Sequence, residues 1–278
     1  MSKVPAITLN DGRSIPQIGY GVWEVPDEEV AGTVVTAVKA GYRSIDTAQG
    51  YGNEKGVGRG IATCGLSRSE LFVTSKLRTK HQGYDAAIKS CLESLERLGL
   101  DYLDLFLIHW PVPAHDLYSD TWKAFIQLQK DGRVRSIGVS NFLPDYLQRI
   151  IDDTGVAPAV NQIELHPEFQ QRDVRDFHAQ HRIAIESYSP LGRGSVLKNA
   201  AIGRIAEKHH TSPAQVIIRW HVQQRLIVIP KSVHEERIKA NIDVFGFSLD
   251  DADMEAIAAL DRPDGKMVGD PATNNSLW

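Results

Sequence analysis

Cysteine is nearly absent. Cys64 and Cys91 are the only two among 278 residues, too few for a disulfide framework and wrongly spaced for a thiolate metal site, so both read as reduced, packed thiols. Long apolar runs are missing too: none approaches the ~18 residues of a membrane span, and MSKVPAITLN lacks the pattern of a signal or transit peptide. There is no basic excess, since 31 Lys and Arg against 35 Asp and Glu leave a net charge of −4. This argues against nucleic acid as the main partner. No HxH or clustered Asp/Glu/His set stands at the strand ends, so no metal is expected. No GxGxxG follows the first strand-like run, and GVGRG at 56–60 has other spacing. What remains, with 42% hydrophobic and 24% charged residues, is a cytoplasmic, enzyme-sized chain. It is expected to form a single domain over 1–278 and to act as a monomer.

Eight short, apolar, β-rich runs recur: IGYGVW (18–23), YRSID (42–46), LFVTSK (71–76), LDLFLIHW (103–110), VRSIGVSN (134–141), VNQIEL (160–165), IAIESYSP (183–190) and LIVIPKS (226–232). Helix-patterned stretches separate them, such as DEEVAGTVVTAVKAG, YDAAIKSCLESLERLG, DTWKAFIQLQKDG, PDYLQRIIDDTG and RDVRDFHAQH. In the second of these, Ile88, Leu92, Leu95 and Leu98 recur at three- and four-residue steps and are expected to pack on a sheet. Gly41, Gly99 and Gly132 stand where helices end, which suits left-handed caps. The strand runs lack clean alternation, as parallel strands covered by helices do. Eight strands alternating with helices within about 250 residues predict a closed (β/α)8 TIM barrel. An open doubly wound sheet fits the same alternation. Asn10-Asp11-Gly12 within 7–16 reads as a hairpin that would plug the barrel bottom. Residues 211–224 read as a helix with Pro213 near its start, and 249–260 as a last amphipathic helix. The tail from Arg262 to Trp278 is a loop expected over the barrel mouth.

In a parallel barrel the active site is built at the C-terminal strand ends. Those ends carry Asp46, Lys76, His109, Ser140 with Asn141, Tyr188, and Lys231 with Ser232, while Gln162 lies inside its own run. Singly, each has a bland explanation. A strand-end Lys is usually a solvated cation, and a His before Trp-Pro a hydrogen-bonded structural residue. Asp46 would cap the next helix, and Tyr51 would pack with its hydroxyl wet. Their convergence on one rim is what points to a site.

GYRSIDTAQGYGNE, the Lys of FVTSKL, the His of DLFLIHWP, GVSNF, NQIELHP and IPKSV, in this order over nearly the whole chain, resemble the aldo-keto reductases. VVTAVKAGYRSIDTAQGYGNEKGVG and NQIELHPEFQQR look nearest to the bacterial branch that includes 2,5-diketo-gluconate reductases. The resemblance implies a (β/α)8 barrel that reduces aldehydes and ketones with NADPH, with Asp46, Tyr51, Lys76 and His109 as its catalytic tetrad. It implies that Ser140, Asn141 and Gln162 hold the nicotinamide carboxamide and that Tyr188 stacks on the ring. Leu191, Gly192 and Gly194 would let the backbone approach the pyrophosphate. Lys231, Ser232 and Arg237 would take the adenosine 2′-phosphate, with Asn241 near the adenine and Val233 also against the cofactor. His234 and Ala240 stand where some relatives carry Arg and Glu, so NADH is expected as a weaker alternative. Trp23, Gln49, Arg78 and Trp110, with Trp278 from the tail, are expected around the small-molecule carbonyl substrate. Arg78 would favour a carboxylate or polyhydroxylated substrate such as a keto-sugar acid, or else stand as a solvated loop cation.

Reduction of a carbonyl adds hydride to carbon and a proton to the developing alkoxide. A tyrosine with pKa about 10 holds its proton at neutral pH, and a neighbouring ammonium makes it a better acid. Lys76 is therefore expected to lower the pKa of Tyr51, with Asp46 holding Lys76 in place and His109 donating to the carbonyl oxygen. Two other classes compete. One is a nucleotide-binding regulatory barrel with little turnover, against which the intact tetrad argues. The other is a metal- or phosphate-dependent isomerase or aldolase, for which the strand ends supply no ligand set.

Overall fold

A computed structural model of the chain describes residues 4–278. β1 (Ala6–Thr8) and β2 (Ser14–Pro16) form an antiparallel hairpin with Ile7 opposite Ile15. Its turn relies on Gly12 at φ +83°, a conformation glycine takes without strain. Leu9 and Ile15 pack against Phe72, Leu105, Val160 and Ile227, which lie at or near the N-terminal ends of four barrel strands. The hairpin thus plugs the bottom, as expected.

The barrel strands are β3 (Tyr20–Gly21), β4 (Ser44–Asp46), β5 (Phe72–Leu77), β6 (Leu103–Ile108), β7 (Val134–Ser140), β8 (Val160–Glu164), β9 (Ala184–Tyr188) and β10 (Ile227–Val228). They pair in parallel and in chain order. The ring closes where Ile18 bridges Val228 in parallel, with the Gly19 N–H donating to the Val228 carbonyl at 2.9 Å and the Val228 N–H to the Gln17 carbonyl at 2.9 Å. This is the (β/α)8 barrel. The doubly wound alternative needs a reversal of strand order that the chain does not make. Among the described residues no helix is long and apolar enough to cross a membrane.

Helices cover the outside: α1 (Asp27–Ala40), α2 (Glu54–Thr63), α3 (Tyr84–Leu98), α4 (Tyr118–Lys130), α5 (Pro144–Thr154), α6 (Arg172–His181), α7 (Ala200–Lys208), α8 (Pro213–Gln223), α9 (Glu235–Ile242) and α10 (Asp251–Ala258). Gly41 and Gly99 end α1 and α3 in the left-handed region. Gly132 does the same one residue past the end cap of α4. Ser212 caps α8 through a reciprocal pair with Gln215, and Pro213 occupies its first turn. On α3 one expectation fails: Leu92 is 43% exposed. The buried stripe runs instead through Ala87, Ser90, Cys91, Ser94, Leu95 and Leu98, because the serines meet a polar loop. Both cysteines are free and buried, and burial pushes the Cys91 thiol up to about 12.

Candidate active site

The end of β4 and the middle of β5 build the centre. Asp46 pairs in register with Thr74. Alternation along β5 then puts Lys76 on the same inner face, one step nearer the mouth. Lys76 is fully buried. Its ammonium donates to Asp46 Oδ1 at 2.5 Å, to the Thr47 carbonyl at 2.9 Å and to the Tyr51 hydroxyl at 3.2 Å, which uses all three donors. Tyr51 reaches this point from the short 3-10 turn Gln49–Tyr51. Its ring meets His109 edge-on with centroids 5.8 Å apart, and on His109 the Trp278 ring stands edge-on at 4.9 Å.

The electrostatics follow from burial and the single cation. Burial works against the charge on Lys76, but the Asp46 carboxylate and Tyr51 outweigh it and hold its pKa above the ordinary lysine value. Tyr51 departs from expectation. Burial raises its pKa by more than Lys76 lowers it, and Asp46 adds to the rise. Lys76 therefore limits the rise without reversing it. Burial first, and the Lys76 charge second, push His109 well below the ordinary histidine value. Its imidazole is neutral and has one N–H to give.

Ser140 and Asn141 lie where β7 ends. Ser140 Oγ donates to the Gln162 carbonyl at 2.8 Å. Asn141, at φ +62°, donates to the His109 carbonyl at 3.0 Å, and its Oδ1 accepts from the Tyr188 hydroxyl at 2.7 Å. Gln162 differs from expectation. Its amide nitrogen is committed to Asp46 Oδ2 at 2.8 Å and Glu186 Oε2 at 2.7 Å, so only its side-chain oxygen, Oε1, is left for a carboxamide. Leu191 is half-buried, its side chain packed against the core, which leaves its backbone for an approach to a ligand. Gly192 at φ +54° and Gly194 at φ +93° hold a tight bend. Gly192 has no room for a side chain, because a Cβ there would lie 2.3 Å from Val196. Near α9, Lys231, Val233 and Arg237 are exposed, whereas Ser232 and Asn241 are buried. The Tyr20 hydroxyl fixes the Ser232 carbonyl at 2.6 Å. This rim fits a dinucleotide: hydroxyl and amide groups near the Lys76 cluster, a bend with glycine at 192 and 194, and the exposed cations Lys231 and Arg237.

Gln49 does not face the mouth. It is buried, donating to the Ser90 carbonyl at 2.9 Å and Ser94 Oγ at 2.8 Å on α3, and it accepts from the Arg78 backbone N–H at 2.9 Å. Its role is to fix the loop that carries Tyr51. Arg78 keeps a buried Nε without a partner among the described residues. Trp110 is nearly buried, and its carbonyl accepts from Gln82 at 2.6 Å. Trp23 is exposed beneath the Arg193 guanidinium, 5.1 Å from its ring centre. The tail crosses the mouth and is pinned at three places. Glu164 accepts from the Met267 and Val268 N–H groups at 2.8 and 3.1 Å. Asn275 accepts from the Ala114 N–H at 2.9 Å, and Thr79 Oγ1 from the Trp278 N–H at 2.9 Å. Sequence reasoning missed Glu164 and Glu186. The signal was available, since both sit two residues from an inward-facing side chain, Gln162 and Tyr188, on the same strands.

The model of the Aldo/keto reductase family matches residues 17–262. An aldo-keto reductase of Mycolicibacterium smegmatis (strain ATCC 700084 / mc(2)155) is 54% identical over 272 residues, covering 98% of each chain. Methylglyoxal reductase DkgA of Escherichia coli (strain K12) is 47% identical over 271 residues, covering 97% of each. The crystal structure of a point mutant of Gox0644 in complex with NADPH superposes with a TM-score of 0.95 at 54% identity, over 98% of this chain and 99% of that one. Fold, site and these likenesses agree: the chain belongs to the aldo/keto reductase family.

Proposed function

We propose that this reductase acts on small α-dicarbonyls and keto-sugar acids, with Tyr51 as proton donor and Asp46, Lys76 and His109 completing the machinery. Its reaction class is carbonyl reduction and its cofactor NADPH. Bound NADPH supplies the hydride that reaches the carbonyl carbon. The chain's own residues do the rest. His109, neutral and beside Tyr51, donates a hydrogen bond to the substrate oxygen and orients it. Tyr51 passes its proton to that oxygen as negative charge builds there, and the fixed ammonium of Lys76 stabilises the phenolate left behind. The observation that carries this reading is the one Lys76 nitrogen bonded to both Asp46 and Tyr51. Such an acid is typically worth about 10²–10⁴ in rate.

The residues assigned to the cofactor are Ser140, Asn141, Gln162 through its side-chain oxygen and Tyr188 for the nicotinamide, the backbone of 191–194 for the pyrophosphate, and Lys231, Ser232, Val233, Arg237 and Asn241 for the adenosine end. With His234 at a position where an arginine would add a fixed cation, NADH serves as a weaker alternative. Arg78, whose Nε has no partner among the described residues, supports a substrate with a second oxygen function, and the likeness to a methylglyoxal reductase agrees. We also assign the chain to the 2,5-diketo-gluconate reductase branch, on the stretches VVTAVKAGYRSIDTAQGYGNEKGVG and NQIELHPEFQQR.

The test is steady-state oxidation of NADPH, then NADH, with a simple aldehyde, methylglyoxal and 2,5-diketo-gluconate. One charge-assisted contact is worth about 1.5–3 kcal/mol. The dicarbonyl or keto-sugar acid should therefore exceed the simple aldehyde in kcat/KM by about tenfold or more. Equal or better turnover of the simple aldehyde overturns the substrate assignment.

A further inference from the structure

Two carboxyl groups lie in the barrel interior around one cation. Glu186, on β9, is completely buried and shares the Gln162 amide nitrogen with Asp46, at 2.7 and 2.8 Å. Asp46 is in turn held by Lys76 at 2.5 Å. A continuous hydrogen-bonded chain thus runs Glu186–Gln162–Asp46–Lys76–Tyr51. Lys76 spends its three donors on Asp46, Thr47 and Tyr51, and none is left for Glu186. The other carboxyl oxygen of Glu186, Oε1, is buried without any partner among the described residues. Among the groups that face Glu186, Asp46 comes from β4, Lys76 from β5, Tyr51 from the turn after β4 and the neutral Gln162 from β8. Its register partner on β10 is Ile227, which offers no charge. A second anion in this space would be uncompensated, and buried carboxylates in that position take up a proton instead.

We propose that Glu186 is a positioning residue for the reduction: it holds a proton while the enzyme works, which keeps the buried cluster at one anion per cation and reserves Lys76 for Asp46 and Tyr51. Burial, and then the charge of Asp46, raise its pKa to about 8, which agrees with this placement. When Glu186 ionises, the added negative charge acts on Tyr51 and disfavours the phenolate, so the phenol becomes a poorer proton donor. Reduction should then decline on the alkaline side near pH 8. Tyr51 itself ionises higher, above the ordinary tyrosine value of about 10. The inference rests on Tyr51 being the proton donor.

Glu186→Gln keeps the shape and fixes the neutral state. At pH 7 its kcat should stay within about threefold of wild type, with NADPH affinity by fluorescence titration unchanged. The alkaline decline of kcat should vanish below about pH 10. An unchanged alkaline limb in a folded Glu186→Gln overturns the proposal. A second measurement needs no variant and no turnover. Infrared titration of the cofactor-free wild type, with 13C-labelled glutamate, should show a protonated buried carboxyl at pH 7 that ionises between pH 7 and 9. A spectrum in which every glutamate is ionised at pH 7 overturns it as well. Failure of Tyr51 as the donor would show separately, as turnover retained in Tyr51→Phe, and would leave the infrared result untouched.

Discussion

Lys76 is the residue on which the centre depends, because one nitrogen supplies every charge-assisted contact between the strand floor and the phenol. Replacing it by methionine keeps an unbranched apolar stem, removes the ammonium and leaves Asp46 a buried carboxylate with Gln162 as its remaining side-chain donor. Breaking a buried pair in this way costs about 3–5 kcal/mol. Urea denaturation of Lys76→Met should show that loss as a lower midpoint at constant slope. Adding Asp46→Asn should recover much of it, since neither residue then carries charge. A double variant as unstable as the sum of its single changes would mean that the pair is not the source of the cost. The grouping of these residues was legible in the sequence, because strand ends and spacing put Asp46, Lys76 and His109 on one rim and Tyr51 in the adjoining loop. The state of Tyr51 was not. Whether burial or a neighbouring ammonium controls a phenol depends on how much water reaches it, and no spacing of residues encodes that. Glu186 was legible only through the face it shares with Tyr188, two residues on, because a carboxylate within a strand otherwise reads as solvent-facing until the barrel closes around it.

At the scale of elements, the least legible piece was α2. The run GVGRG carries three glycines within a few residues, which ordinarily weakens a helix by about 1 kcal/mol each. The structure explains them through close packing. A Cβ at Gly56 would lie 2.2 Å from the Asp27 carbonyl on α1, and one at Gly58 2.3 Å from the Leu98 carbonyl on α3. The helix is glycine-rich because its neighbours' backbones touch it. The tail was legible as a loop over the mouth, but its anchors Glu164, Thr79 and Asn275 were not, since they join positions far apart in the chain. One close approach makes the tail testable. A Cβ on Gly50 would stand 2.2 Å from the Trp278 ring, so Gly50→Ala should push that ring off His109. Loss of an apolar contact of about 1–2 kcal/mol should raise the KM of the preferred substrate about 5- to 30-fold, with kcat nearly unchanged and a shift in tryptophan fluorescence. An unaltered KM together with a shifted fluorescence would remove Trp278 from the substrate wall.

For the whole molecule, the arrangement divides stability from chemistry. The hairpin, the small core of Leu9, Ile15, Phe72, Leu105, Val160 and Ile227, and the closing bridge between Ile18 and Val228 secure the lower end. The polar groups collect above, where strand ends and loops meet. The parallel order of the sheet in turn brings Asp46 and Lys76, 30 residues apart, to one nitrogen-to-oxygen contact, and lets Glu186 reach the same cluster from the far side of the ring. The central claim is that Tyr51 delivers the proton from within this assembly. The most direct measurement is turnover of Tyr51→Phe with NADPH and the preferred carbonyl, taken alongside NADPH binding by fluorescence titration. The variant should bind NADPH within a few-fold of wild type, keep its fold, and lose about 10²–10⁴ in kcat. A folded Tyr51→Phe that binds NADPH normally and retains more than about a tenth of wild-type turnover would contradict the claim, because a lost general acid cannot cost so little.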